Sequence, residues 1–171
     1  MAMSKKGPTK PNKTGKATAN DVVMTAEPTA KWIVDYFNPQ GTILEPCRGE
    51  GAFYNNFPEQ SKKEWCEISQ GRDFFEYEKK VDWIITNPPF SIFDNFLTHS
   101  FEIADNVVFF CPLNKVFKSM KIDRMIQDYG GIHTVIHMGG GGKHGFPFGF
   151  ATGCIHYKKD YNGPINYVRH Y

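Results

Sequence analysis

The sequence predicts an α/β fold with a mostly parallel sheet, and three observations carry that expectation. An apolar run at Ile43 and Leu44 meets Glu45 and Pro46 and then Gly49 and Gly51, the pattern of strand, tight loop and helix. A second apolar run, Val81–Thr86, is stopped by Pro88 and Pro89, which lack the N–H that a sheet ladder needs. Two further apolar runs, 133–137 and 152–157, flank a glycine-rich segment and predict a closing antiparallel hairpin.

The elements follow in order. Residues 25–37 open with Thr25 as a cap-like residue and Pro28 at an early helical position. Helical spacing follows at Ala30, Ile33, Val34 and Phe37. Beyond the first strand, Gly49 and Gly51 permit positive backbone angles and close approach to a ligand, and a helix starting there would offer unpaired N–H groups. A dinucleotide site is disfavoured, because the third glycine of its fingerprint is replaced by Tyr54. Residues 64–68 alternate enough for a strand, and an acid at its end, Glu67, can accept the two hydroxyls of a ribose or simply face water. A helix is expected over 92–104, with Phe93, Phe96, Leu97 and Phe101 on one face, and a strand over 106–111. Lys115 follows at the same sheet edge as Asn87, free to meet a phosphate or solvent.

The segment Asn87, Pro88, Pro89 and Phe90 carries the most specific chemistry. The Asn87 side-chain oxygen and the Pro88 carbonyl can accept both hydrogens of an exocyclic amino group, while Phe90 offers a face for a planar ring. An aromatic amine is a poor nucleophile because its lone pair is delocalised. Two acceptors drawing on its hydrogens favour the form whose lone pair can attack, with no charged base required.

This tetrapeptide resembles the catalytic motif of S-adenosylmethionine-dependent amino methyltransferases, chiefly the site-specific DNA adenine-N6 enzymes. The run from Glu45 to Gly51 resembles their cofactor motif, with Glu45 where Asp is more frequent. The resemblance covers roughly residues 24 to 157 and implies a Rossmann-like class I methyltransferase sheet. It implies S-adenosylmethionine as cofactor, held by Thr25, Glu45, Pro46, Cys47, Gly49, Gly51, Glu67, Asp73, Phe74 and Asn87. Asp73 would accept from the cofactor's adenine amino group and Phe74 would cover its ring. Catalysis would rest on Asn87, Pro88, Pro89 and Phe90. Substrate contacts would come from Phe90, Lys115, Lys143 and His144, with Phe146 or Phe148 packing against the target base opposite Phe90. The family fold places a helix and a strand between the elements ending at Ile68 and starting at Gly71, yet only Ser69 and Gln70 lie between them. The sheet should therefore be shortened around its third strand.

Composition sets the outer bounds. With 171 residues, 40% of them hydrophobic, the chain can bury one core, so residues 21–171 are expected to form a single domain. Residues 1–20 contain Lys5, Lys6, Lys10, Lys13 and Lys16 without an acid, and are expected to form a disordered basic arm. A net charge of +2 does not support strong duplex binding by charge alone. Cys47, Cys66, Cys111 and Cys154 lack the paired spacing of a zinc site, and no metal is expected. The absence of a long apolar run or a signal-like N-terminus leads to an expected cytoplasmic location without membrane contact.

DNA is the expected partner, with RNA fitting the same pocket. No room is expected for a separate recognition region, so either the glycine-rich loop and the basic arm read a short site, or recognition is relaxed, or a second copy of the chain or a recognition subunit helps. Two other readings stay open. A protein glutamine presents the same NH2 geometry, and the fold can also serve as a non-catalytic nucleic-acid-binding or subunit module.

Overall fold

A computed structural model describes residues 23–171; the basic stretch 1–20 lies outside the described residues. Seven strands form one sheet in the order β2-β1-β3-β4-β6-β5-β7. They are β1 Thr42–Glu45, β2 Lys62–Trp65, β3 Val81–Thr86, β4 Ala104–Pro112, β5 Gly130–Gly140, β6 Ala151–Lys159 and β7 Asn166–Arg169. Only β6 runs against its neighbours, β4 and β5. The C-terminal ends of β1, β3, β4, β5 and β7 consequently share one edge of the sheet.

Three helices cover the faces: α1 Glu27–Phe37, α2 Phe93–Ile103 and α3 Met120–Tyr129. Strand β4 shows why the sheet is buried on both sides. Val107, Phe109 and Cys111 join the cluster formed with α2 and α3, whereas Val108 and Phe110 join the one formed with α1. Each fully buried phenylalanine of this strand contributes about 1.5–3 kcal/mol of transfer free energy, and continuous apolar strands are what a sheet covered on two faces requires. At the β5–β6 pair the chains close in so tightly that a Cβ on Gly153 would collide with the Ile136 carbonyl.

The shortening expected around the third strand is present. Beyond β2 the chain makes two single-turn 3-10 helices, Ile68–Gln70 and Phe74–Glu76, and returns directly into β3. In place of a strand there is one antiparallel bridge between Glu67 and Arg72.

Five details differ from the sequence expectations. Strand β2 ends at Trp65, leaving Glu67 and Ile68 beyond it, because Glu67 caps the following turn by accepting from Ser69 N. The helix expected after Gly51 is only the 3-10 turn Tyr54–Asn56. Thr25 does not cap α1, whose N-cap position is held by Ala26 without a side-chain hydrogen bond. Two elements were not anticipated, α3 and β7. Ser119 capping Ile122 N, with Ile122 and Ile126 buried one turn apart, was the signal for α3. The alternation from Ile165 to Arg169 after Asn162-Gly163-Pro164 was the signal for β7.

No helix among the described residues is long and apolar enough to cross a membrane. All four cysteines are free thiols.

Candidate active site

Strand β1 delivers Glu45 to the sheet edge, and the chain then folds back on itself. Gly49 and Gly51 take φ of 53° and 89°, left-handed values that glycine adopts without steric cost. The loop is pinned from several directions: Arg48 N donates to Cys66 O, Gly51 N to Arg48 O, and Asn55 N to Gly51 O, all within 2.9 Å. Gly49 N donates to Glu67 Oε2 at 2.8 Å, while Glu67 Oε1 accepts from Ser69 N and Ser69 Oγ. Glu67 thus holds the glycine loop. Burial pushes its carboxyl pKa up, but the hydrogen bonds from Ser69 and Gly49 outweigh this and hold it below the ordinary value.

A cleft opens between this loop and the chain leading into α1, lined by Val23, Met24, Thr25, Glu45, Cys47, Arg48, Gly49, Ala52, Phe53 and Asn87. It brings together five of the residues expected to hold a cofactor: Thr25, Glu45, Cys47, Gly49 and Asn87. Glu67, Asp73 and Phe74 do not line it. Asp73 accepts from Phe75 N at 3.0 Å, and Phe74 is buried against Phe96 and His99, leaving Phe75 as the exposed ring of the pair. Pro46 is buried at the base of the loop and Gly51 is buried behind it.

Glu45 is only 2% exposed and accepts from Tyr54 N at 2.7 Å. Burial raises its pKa to about 9, against the lowering effect of that hydrogen bond and of Arg48, so the carboxyl is neutral at pH 7. Arg48 lays its guanidinium over Trp65 and Tyr54, at 4.7 and 5.7 Å. Its Nε is buried and has no hydrogen-bond partner among the described residues.

Cys47 joins the two motifs. Its Sγ lies 2.9 Å from Thr86 Oγ1 and donates to Asn87 O at 3.1 Å, and burial pushes the thiol pKa up, so it acts as a neutral donor. Asn87 Nδ2 donates to Val23 O at 3.0 Å and to Thr25 Oγ1 at 3.2 Å. With both amide hydrogens committed, the Asn87 oxygen is left as an acceptor. Pro88 is buried, and Pro89 stands at the head of the 3-10 turn Phe90–Ile92.

Phe90 is half-buried, with Phe146 and Phe148 at 5.5 and 6.0 Å between ring centroids. Phe146 and Phe148 stack at 5.3 Å and 7°. Phe146 is 4% exposed, wedged against Phe110, whereas Phe148 is half-buried and passes contact on to Phe150 at 5.5 Å. Lys115 Nζ donates to Phe90 O at 3.4 Å and stands 6.0 Å from the Phe90 centroid. His144 is committed to the loop, bonded through Nε2 to Met138 O at 2.7 Å with its ring edge-on to Phe110, while Lys143 is exposed. Sequence reasoning missed Arg48, Val23 and the bridging contacts of Cys47, because each acts through contacts distant in sequence.

The chain matches no protein-family model and no curated protein sequence. Solved structures do match. A protein from Listeria monocytogenes assigned to the class I S-adenosylmethionine-dependent methyltransferases superposes with a TM-score of 0.66 at 13% identity, covering 91% of this chain and 68% of its own. A modification subunit from Vibrio vulnificus, assigned to a type I restriction enzyme, gives 0.65 at 16% identity, covering 88% of this chain and 47% of its own. The methyltransferase subunit of a type I restriction-modification system from Streptococcus thermophilus gives 0.64 at 17% identity, covering 88% and 48%. The chain therefore spans about half the length of the two restriction-modification subunits. At these identities the likeness speaks to architecture: the chain has the Rossmann-like fold of class I methyltransferases.

Proposed function

We propose that the chain transfers a methyl group from S-adenosylmethionine to the exocyclic N6 amino group of adenine in DNA. The observation that supports this most directly is the pinning of Asn87 by Val23 and Thr25, which leaves its oxygen as an acceptor beside the cleft that Glu45 and Gly49 line. The cleft suits the cofactor. The buried, unpartnered Arg48 Nε is a donor for a carboxylate, and the bare Cα of Gly49 admits close approach. Arg48, Gly49, Glu45 and Thr25 would hold the methionine half, and Glu67 and the exposed ring of Phe75 would meet the nucleoside half.

The bound cofactor supplies an electrophilic methyl carbon on a positively charged sulfur. Asn87 Oδ1 and the Pro88 carbonyl accept the two amino hydrogens, orient the nitrogen lone pair toward that carbon and stabilise the positive charge that develops on nitrogen. The cofactor would supply that methyl with the C–S electron pair staying on its sulfur, and the amino group would release one proton to water. Phe90 would stack on one face of the base, Phe148 would turn from its tilted position to cover the other, and Phe146 supports Phe148 from the core. Cys47 keeps the two halves in register through Asn87 O. Since two of the similar structures are restriction-modification subunits, action together with a recognition subunit or a second copy belongs to the same reading.

The test is to incubate the chain with methyl-labelled S-adenosylmethionine and duplex DNA, single-stranded DNA, RNA or a protein extract, and to identify the labelled product after digestion. N6-methyladenine from DNA is the expected result. Labelled glutamine, or label confined to RNA, would overturn the substrate assignment. Cofactor binding without transfer to any acceptor would overturn the enzyme.

A further inference from the structure

The seventh strand adds something that the methyl-transfer site does not use. Because β7 runs parallel to β5, with Arg169 level with His137, its end lies at the same sheet edge as Asn87. There Gly139 is flanked from two sides: a Cβ on it would stand 3.4 Å from Tyr171 Cβ and 3.9 Å from Lys143 Cδ. Lys143 belongs to the turn Gly141–His144, whose first N–H donates to Phe150 O at 2.8 Å. Phe150 in turn is 5.5 Å from Phe148, whose ring is tilted by 58° to Phe90 at 6.0 Å. Rings and cations thus stand at intervals from the base pocket to β7. These rings lie open, with Phe150 58%, Tyr167 52% and Tyr171 69% exposed, and the Arg169 guanidinium sits 4.9 Å above Tyr167.

Charge says what this line suits. Across residues 130–171 the sole acid is Asp160. It follows Lys158 and Lys159 at the opposite end of the sheet, where Lys158 is level with Asn106 at the start of β4. The charged side chains of the line are all cations. Aromatic faces interleaved with Lys and Arg, without a carboxylate side chain, match an unpaired nucleic-acid strand, whose bases stack and whose phosphates need neutralising.

We propose that Phe150, Lys143, Tyr171, Arg169 and Tyr167 form a track for the single strand flanking the target nucleotide, so that β7 provides nucleic-acid contacts outside the methyl-transfer pocket. This rests on the reading of Phe90 and Phe148 as the base pocket. The strand runs along the sheet edge over the β5–β7 side, and the ring faces make it tolerant of sequence.

The experiment is fluorescence anisotropy of the full chain with labelled oligo-dT and oligo-U of about 20 nucleotides, and with a duplex, across a salt series. Tyr171→Ala is expected to weaken single-strand binding by about 5- to 20-fold and Tyr171→Phe to leave it near wild type, since stacking uses the ring. Lys143→Ala and Arg169→Ala should each lower the log–log salt slope by about 0.7. The two oligonucleotide arms decide between DNA and RNA. The track is overturned if Tyr171→Ala binds like wild type, if Lys158→Ala with Lys159→Ala at the opposite end costs as much, or if the duplex binds as tightly with the same variant pattern. It is also overturned if Tyr171→Ala changes only the sedimentation of the protein, which would make the surface a contact between copies. Binding is read without methyl transfer, so the two readings fail separately. Tyr171-dependent binding without any labelled adenine would sink the transfer chemistry alone, and labelled adenine at an unchanged KM in Tyr171→Ala would sink the track alone.

Discussion

Asn87 Nδ2 donates to Thr25 Oγ1 at 3.2 Å, tying the end of β3 to the segment ahead of α1. The contact fixes which atom of the amide meets the substrate. Asn87→Ala should abolish turnover with cofactor affinity largely kept. Asn87→Asp, although Asp occurs in the resembled motif, should lower kcat/KM by more than about 100-fold, because it sets a carboxylate oxygen against the Val23 carbonyl in place of an N–H. Thr25→Val should cost about 3- to 10-fold in kcat, with Thr25→Ser restoring most of it. Steady-state kinetics with calorimetric cofactor binding separates these outcomes.

Glu45 gives the site a pH signature. Its carboxyl ionises near pH 4.5 when unfolded and near 9 when folded, so the folded state holds the proton more tightly. Its contribution to stability is full below pH 4.5 and is lost as pH rises toward 9. Glu45→Gln should remove that slope and raise stability at pH 8 by about 1–2 kcal/mol in urea titrations. A cation bound beside Glu45 favours the carboxylate, so cofactor binding at pH 7 should release a proton, measurable as a buffer-dependent heat.

Glu67 anchors the glycine loop by accepting from Gly49 N. Glu67→Ala should weaken cofactor binding by about 10-fold, with Glu67→Gln between it and wild type, because one amide oxygen replaces two acceptors. Since the folded carboxyl titrates below its ordinary value, the anchoring persists above pH 4.5 and is lost as the pH falls through the lowered pKa. Equilibrium binding across that acid range checks the direction.

Arg48 presents a buried Nε with no partner among the described residues. Arg48→Met, which keeps a chain of similar reach, should raise the cofactor Kd by about 10-fold or more, and Arg48→Lys should fall short of full rescue because it lacks the planar fork. Binding of the cofactor and of a decarboxylated analogue should converge in the Met variant.

Phe146 and Phe148 should separate stability from activity. Phe146→Ala removes a ring that is 4% exposed and should cost about 3–5 kcal/mol of stability. Phe148→Ala should cost little stability but raise KM for the nucleic acid. Denaturant titration and initial rates on the same two variants test the division of labour.

The fold was legible where chemistry and periodicity coincide. Proline after β3, glycine after β1 and the two-residue gap at Ser69-Gln70 each impose a local constraint that any sheet must obey, and the structure follows them. What was hidden was long-range. Thr25 reads as a helix cap because a hydroxyl before Glu27 and Pro28 has that local use, yet its partner is 62 residues away. Cys47 reads as a packed thiol, and only the folded chain shows it reaching Asn87 O. Phe146 and Phe148 are equivalent in sequence; β4 distinguishes them by presenting Phe110 to one of them.

The 3-10 turn Tyr54–Asn56 standing where a helix was expected has a consequence for how this site can change. A long helix aimed at a ligand contributes a fixed fraction of a charge from its backbone, which no substitution of a side chain can remove. A three-residue turn contributes almost none of it. The field in the cleft is therefore written in side chains, those of Glu45, Arg48, Glu67 and Asn87, and each can be rewritten by a single codon. A pocket built this way is open to rapid retuning under selection, with the N-terminal end of α1 as its one fixed backbone pole.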